Sequence, residues 1–148
     1  MNNSIHDVDI LLVEDNPDDA ALVIRELKKN RLANNLIHLT DGVQALDFLF
    51  CRKEFSERKI EDRPKVVFLD LKMPKIDGLQ VLREIRADQR TKLIPVVVMT
   101  SSKEERDIAD TYNLGVNAYV VKPVEFDSFS KAVTELGMFW LLVNQSPK

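Results

Sequence analysis

The sequence predicts an α/β domain built on a doubly wound parallel sheet of five strands, with helices on both faces. Three observations carry that prediction. Apolar runs such as VVFL at 66–69 and VVVM at 96–99 show no alternation, as in strands buried on both faces. Segments whose apolar residues recur at helical spacing separate these runs from end to end. Each run closes on a polar residue, and an open α/β sheet places its chemistry beyond the carboxyl ends of its strands.

The first strand is DILLVED, residues 9–15. Asp15 and Asn16 then supply cap residues ahead of Pro17. The helix that follows is acidic early and basic late, as the helix dipole prefers. NLIHLTDG at 35–42 is a short alternating strand ending in a turn, and GVQALDFLF at 42–50 is an amphipathic helix behind it. The third strand, KVVFLD at 65–70, leads into DGLQVLREIRAD at 77–88, where Leu79, Leu82 and Ile85 share a helical face and Asp77 is the cap. IPVVVMTSS at 94–102 is the fourth strand, and Ser102-Lys103-Glu104-Glu105 has the capping-box form of a helix that ends near Gly115. NAYVVKP at 117–123 is the fifth strand, and a final helix spans about 125–144. Right-handed crossovers make a flavodoxin-like order the natural choice. The one irregular stretch, near 52–64, is densely charged and reads as an exposed, solvated insertion with at most a helical turn.

At 148 residues the chain is most simply one domain, 1–148, large enough for a core without staples. Its net charge of −3, from 21 basic and 24 acidic residues, gives no overall basic field for nucleic acid. The lone Cys51 forms no intrachain disulfide, which fits a reducing cytoplasm. Nothing at the start resembles a signal peptide and no apolar segment reaches transmembrane length, so a cytoplasmic location away from the membrane is expected. Only QSPK follows the final helix, leaving no room for an output domain of ~50 residues or more. The expectation is a signal that leaves through protein contacts.

Glu14 and Asp15 end the first strand, Asp70 the third, Thr100 stands at the end of the fourth and Lys122 at the end of the fifth. Three crowded carboxylates repel unless a cation sits between them, and Mg²⁺, which prefers oxygen ligands and keeps several waters, suits such a site. Asp70 is the candidate nucleophile, since a carboxylate accepts a phosphoryl group as an acyl phosphate. Lys122 and Thr100 would supply positive charge and a hydroxyl to the phosphoryl oxygens. Taken singly, each has a plain alternative: Asp15 as a helix cap, Thr100 as a strand terminator, Lys122 as a surface lysine. As a set on four strand ends they point to phosphoryl transfer. His6 and His38 are isolated and read as terminus and strand positions.

The residues ED at 14 and 15, DLKMP at 70–74, TS at 100 and 101 and YVVKP at 119–123 resemble the receiver domain of bacterial two-component response regulators, in the right order over almost the whole chain. The resemblance implies strand order 2-1-3-4-5 and phosphorylation of Asp70 by a phosphohistidine on a partner sensor histidine kinase. It implies Glu14, Asp15 and Asp70 as Mg²⁺ ligands, with the backbone carbonyl of Lys72 as another, and Tyr119 as an aromatic switch; without the family Tyr119 is a half-buried strand aromatic.

In the final helix Phe126, Phe129, Val133, Leu136, Trp140 and Val143 make one packed face, but FWLLV at 139–143 is apolar all round and should be covered. Phe139, Trp140 and Leu142 are therefore the candidate partner interface, with a homodimer as the simplest occupant and a downstream target protein as another. The charged insertion together with this helix resembles the small regulators paired with phytochrome-type kinases. Three other protein classes compete with a receiver. A phosphatase of the haloacid dehalogenase type needs an aspartate where Lys72 stands. An FMN carrier would not place EDNPDD where a phosphate is cradled. A pseudo-receiver that only binds partners would not need the intact set Asp15, Asp70, Thr100 and Lys122. The expectation is a regulator that turns over no external substrate.

Overall fold

Strand β1 (Ile10–Val13) pairs in parallel on both sides, with β2 (Leu36–Leu39) on one edge and β3 (Val66–Leu69) on the other. Strands β4 (Val96–Thr100) and β5 (Ala118–Val121) extend the sheet beyond β3, giving the order β2-β1-β3-β4-β5. The computed structural model describes residues 8–29, 35–100, 110–116 and 118–121. The predicted capping box at Ser102 and the final helix lie outside these residues.

The two faces of the sheet bury different residues of the same strands. Ile10, Leu12, Val66, Phe68, Val97 and Met99 pack with Ala20, Val23 and Leu27 of helix α1 (Pro17–Lys29). On the other face, strand residues such as Leu11, Val13, Val67 and Leu69 meet helices α2 (Gly42–Leu49) and α3 (Gly78–Ala87). Every residue of β1 and β3 is fully excluded from solvent, which is why their sequences carry no period of two. All five strands run the same way, so their carboxyl ends share one edge of the sheet. The chain reverses its direction of winding between β1 and β3, and the crevice outside those two strands is where this class of sheet binds its ligands.

Capping fixes the helix starts as the sequence predicts. The Asn16 side chain accepts from the amides of Asp18 and Asp19 at 2.9 and 3.1 Å, ahead of Pro17. Asp77 accepts from the Gln80 amide at 3.0 Å, and Asp41, which the sequence left as part of a turn, caps α2 through the Gln44 amide at 2.8 Å. Residues 110–113 are helical, and Gly115 follows with φ of +72°, a left-handed conformation that suits glycine at a helix end.

The charged insertion is largely exposed and holds one helical turn, as its composition suggests, but Phe55 and Arg58 within it are buried. Its 3-10 turn, Lys53–Phe55, seats Phe55 in the core edge-to-face on Phe48, with ring centroids 5.2 Å apart. Arg58 is 4% exposed. Its guanidinium stacks 3.8 Å from the Phe48 ring centre and donates to the carbonyls of Phe48 and Asp62, the latter at 2.6 Å. Burial pushes its pKa down, opposed by Cys51 and Asp62, yet a guanidinium stays charged. Two residues in a charged run thus anchor it to the end of α2.

A second arginine closes the far end of the sheet. Arg86 on α3 donates to the carbonyls of Leu114 (2.7 Å), Lys92 (2.9 Å), Ile94 (2.8 Å) and Gly115 (2.9 Å). It ties the approach to β4 to the end of the helical turn at 110–113, away from the strand ends that carry the acids.

Candidate functional site

The register that aligns Val13 with Leu69 carries the next residues, Glu14 and Asp70, to the same level at the edge of the sheet. Backbone bonds continue the ladder past the strands: the Asp70 amide donates to the Val13 carbonyl at 3.0 Å, and the Glu14 amide to the Leu39 carbonyl at 3.0 Å. The three acids Glu14, Asp15 and Asp70 each bring a carboxylate oxygen to within 4.8 Å of the others. Glu14 is completely buried, Asp70 is 5% exposed and Asp15 faces solvent.

Backbone donors fix two of these carboxylates. The Asn16 amide donates to Glu14 Oε2 at 3.1 Å, and the Lys72 amide to Asp70 Oδ1 at 3.0 Å. The chain turns back on itself after each strand, so each acid receives an amide from two residues further on. His38 on β2 reaches across the edge, its Nε2 2.8 Å from the Glu14 carbonyl oxygen. Because the acceptor is a carbonyl, that nitrogen carries the proton. No local pattern links His38 to the acids, since the parallel pairing of β1 with β2 is what brings them together.

Two glycines let the loop after Asp70 pack this closely. A Cβ on Gly78 would lie 2.1 Å from the Asp70 carbonyl oxygen and 2.7 Å from the Leu71 Cα. A Cβ on Gly42 would lie 2.1 Å from the Ile76 carbonyl oxygen. The Gly78 amide donates to the Leu71 carbonyl at 2.9 Å, which draws the start of α3 onto the strand end. Both are sites of close backbone approach, a use of glycine that no local pattern advertises.

Of the residues read from the sequence, Glu14, Asp15 and Asp70 converge as expected and Lys72 follows them in the same loop. Thr100 and Tyr119 sit on the described strands β4 and β5, where Thr100 pairs with Val121, but their side chains lie outside the description. Lys122, Phe139, Trp140, Leu142 and His6 lie outside the described residues altogether. Chemically, three carboxylates at a sheet edge, two held by backbone amides and one free to face solvent, make an oxygen-only site for a hard divalent cation. One of them, Asp70, stands where it would also meet a ligand entering the crevice.

Fold and acid cluster together define a phospho-acceptor signalling domain, and comparison with known proteins agrees. The sequence matches the response regulator receiver domain family over residues 10–134. The chain belongs to that family. It is 41% identical over 132 residues to the response regulator Rcp1 of Synechocystis, covering 89% of this chain and 88% of Rcp1. The crystal structure of the Mn²⁺-bound form of Rcp1 superposes with a TM-score of 0.82 at 40% identity, covering 94% of this chain and 98% of that one. A phosphorylated cyanobacterial phytochrome response regulator, RcpA, also superposes at 0.82, with 35% identity, over 94% of this chain and 97% of its own. The bacteriophytochrome response regulator AtBRR is 51% identical with a TM-score of 0.72, over 92% and 96%.

The protein is therefore a receiver-domain response regulator, with the flavodoxin-like fold and phosphorylation-based signalling of that family. Receiver domains bind a divalent metal, and the acid cluster here fits one. They partner with histidine kinases and are signalling proteins rather than metabolic enzymes. No helix among the described residues is long and apolar enough to cross a membrane.

Proposed function

We propose that this receiver accepts a phosphoryl group on Asp70, with Mg²⁺ held by Glu14, Asp15, Asp70 and the backbone carbonyl of Lys72. The observation that carries the reading is the convergence of three carboxylates within 4.8 Å at the crevice between β1 and β3. When bound, the metal supplies positive charge against the phosphoryl oxygens. In the transfer, an Asp70 carboxylate oxygen attacks phosphorus as the nitrogen–phosphorus bond of the donor phosphohistidine breaks. The imidazole leaves with the electron pair and takes up a proton. The Lys72 amide, already 3.0 Å from Oδ1, helps hold the carboxylate in one orientation. Lys122 and Thr100 are proposed to hold the phosphoryl oxygens, and Tyr119 to follow Thr100 as the switch.

The donor is a sensor histidine kinase, and the likeness to RcpA and AtBRR favours one of phytochrome type. The protein works in the cytoplasm and turns over no external substrate. Its message passes to a partner protein through the surface around Phe139, Trp140 and Leu142, with a homodimer as the simplest arrangement.

The test is intact mass after incubation with Mg²⁺ and acetyl phosphate. Wild type should gain one phosphoryl group, Asp70→Asn none, and EDTA added beforehand should prevent the gain. Label on Asp70→Asn, or a gain that survives EDTA, would refute the assignment. If wild type gains nothing, the absence of a beryllofluoride complex would mark a pseudo-receiver.

A further inference from the structure

The loop that joins Asp70 to α3 is held from the side by an ion pair between Lys75 and Asp41. Asp41, at the start of α2, is 6% exposed. Its two oxygens do different work: Oδ1 accepts from the Gln44 amide at 2.8 Å and caps the helix, while Oδ2 receives Lys75 Nζ at 3.3 Å. Lys75 reaches it from a left-handed backbone, with φ of +68°. A non-glycine residue keeps that conformation only where its surroundings enforce it. Next to the pair, the Gly42 backbone lies so close to the loop that a Cβ there would stand 2.1 Å from the Ile76 carbonyl oxygen. The ion pair and the close approach act on the same side of the same loop, between Lys72 and Asp77.

We infer that Asp41 and Lys75 are positioning residues for this loop, and that they set how well the Lys72 carbonyl and Asp70 are presented to the metal. The inference rests on the reading of Asp70 and Lys72 as metal ligands. Helix capping alone does not explain the arrangement, because the oxygen that caps α2 is not the one that binds Lys75. Nor does the pair join two exposed side chains, since Asp41 is buried and Lys75, its side chain mostly exposed, reaches it from a left-handed backbone.

The test uses the full chain and the variants Lys75→Met and Asp41→Asn, which remove the ion pair while asparagine retains the cap, with Lys75→Arg as the conservative rescue. Mn²⁺ affinity of the unphosphorylated protein is read by electron paramagnetic resonance. The rate of labelling by acetyl phosphate is read by intact mass across a range of Mg²⁺ concentrations. Lys75→Met and Asp41→Asn should each weaken Mn²⁺ binding about threefold, as loss of a half-exposed pair allows. They should slow labelling by a similar factor at limiting Mg²⁺ and reach the wild-type rate at saturation, while Lys75→Arg stays near wild type. A purely structural pair would lower the urea midpoint and leave metal affinity unchanged, and that result would overturn the inference. If wild type takes label and both variants match its metal dependence, positioning by this pair alone fails. If wild type takes no label, the phospho-acceptor reading fails, and the Mn²⁺ titration still decides the role of the pair.

Discussion

Replacing Gly78 by alanine places a methyl group against the one part of the site that has nowhere to move. The new Cβ would lie 2.1 Å from the Asp70 carbonyl oxygen, 2.8 Å from its carbonyl carbon and 2.7 Å from the Leu71 Cα. Ordinary contact begins near 3.4 Å, so α3 and the strand end must separate by more than about 1 Å. Neither side is soft. Asp70 is tied to β1 through its amide, and α3 is seated in the core by Val81, Leu82 and Ile85. Overpacking of this kind costs about 1–3 kcal/mol. Alanine gains at most ~1 kcal/mol over glycine in helix propensity, so the net expectation is a loss of about 1–2 kcal/mol in urea unfolding. On the proposed reading of Asp70 as the acceptor, displacing it has a larger effect on chemistry, because a ~1 Å misplacement of a reacting group costs on the order of 10²-fold in rate. Labelling of Gly78→Ala by acetyl phosphate should therefore fall by at least about tenfold at saturating Mg²⁺. A variant with wild-type stability and rate would refute the claim that backbone contact with α3 sets the position of Asp70.

Arg58→Met should lower stability by about 2–3 kcal/mol in urea unfolding, because it removes charged hydrogen bonds to the carbonyls of Phe48 and Asp62 and a stacked guanidinium. A loss no larger than that of the exposed Arg52→Met would show that the insertion is not anchored there. Asp88 is held by the hydrogen bonds of Arg90 down to about 2 from the usual 3.8. A depressed carboxylate contributes stability above its unfolded value and loses it as pH falls through the folded one. The difference in urea midpoint between wild type and Asp88→Asn should thus be present at neutral pH and shrink from about 4 towards about 2. A difference independent of pH would show that the pair does not act through the Asp88 charge.

The strands and the acids were legible because both are written locally. VVFL with a carboxylate after it states burial on two faces and a polar end within five residues. Parallel pairing then fixes the level of every strand end, so Glu14 and Asp70 had to meet once β1 and β3 were neighbours. Helix starts at Asn16 and Asp77 were legible for the same reason, each cap lying within three residues of the amide it accepts. What stayed hidden is contact made by topology. Lys75 and Asp41 are 34 residues apart, and Arg86 reaches Gly115 across 29. Phe55 and Arg58 are single anchors in a charged run, and one buried residue makes no period. Gly42 and Gly78 stand at helix starts, where glycine needs no explanation until the neighbouring backbone is seen.

The way the acids are held explains why the site suits a cation and why one ligand differs from the others. Two carboxylate charges within 4.8 Å of each other repel by at least about 3 kcal/mol at an effective dielectric of ~20. A hydrogen bond from a backbone amide to a charged group returns about 1.5–3 kcal/mol, and the amides of Asn16 and Lys72 provide one each to Glu14 and Asp70. These bonds offset part of the crowding of the two fixed acids without neutralising them. Asp15 completes the cluster from the solvent side, where water screens its charge and its side chain keeps freedom to adjust. Glu14 and Asp70 are thus fixed by the sheet and its turns, while Asp15 is the acid most open to solvent. On the proposed reading of these acids as metal ligands, two preset members and one solvent-facing member lose little order on binding.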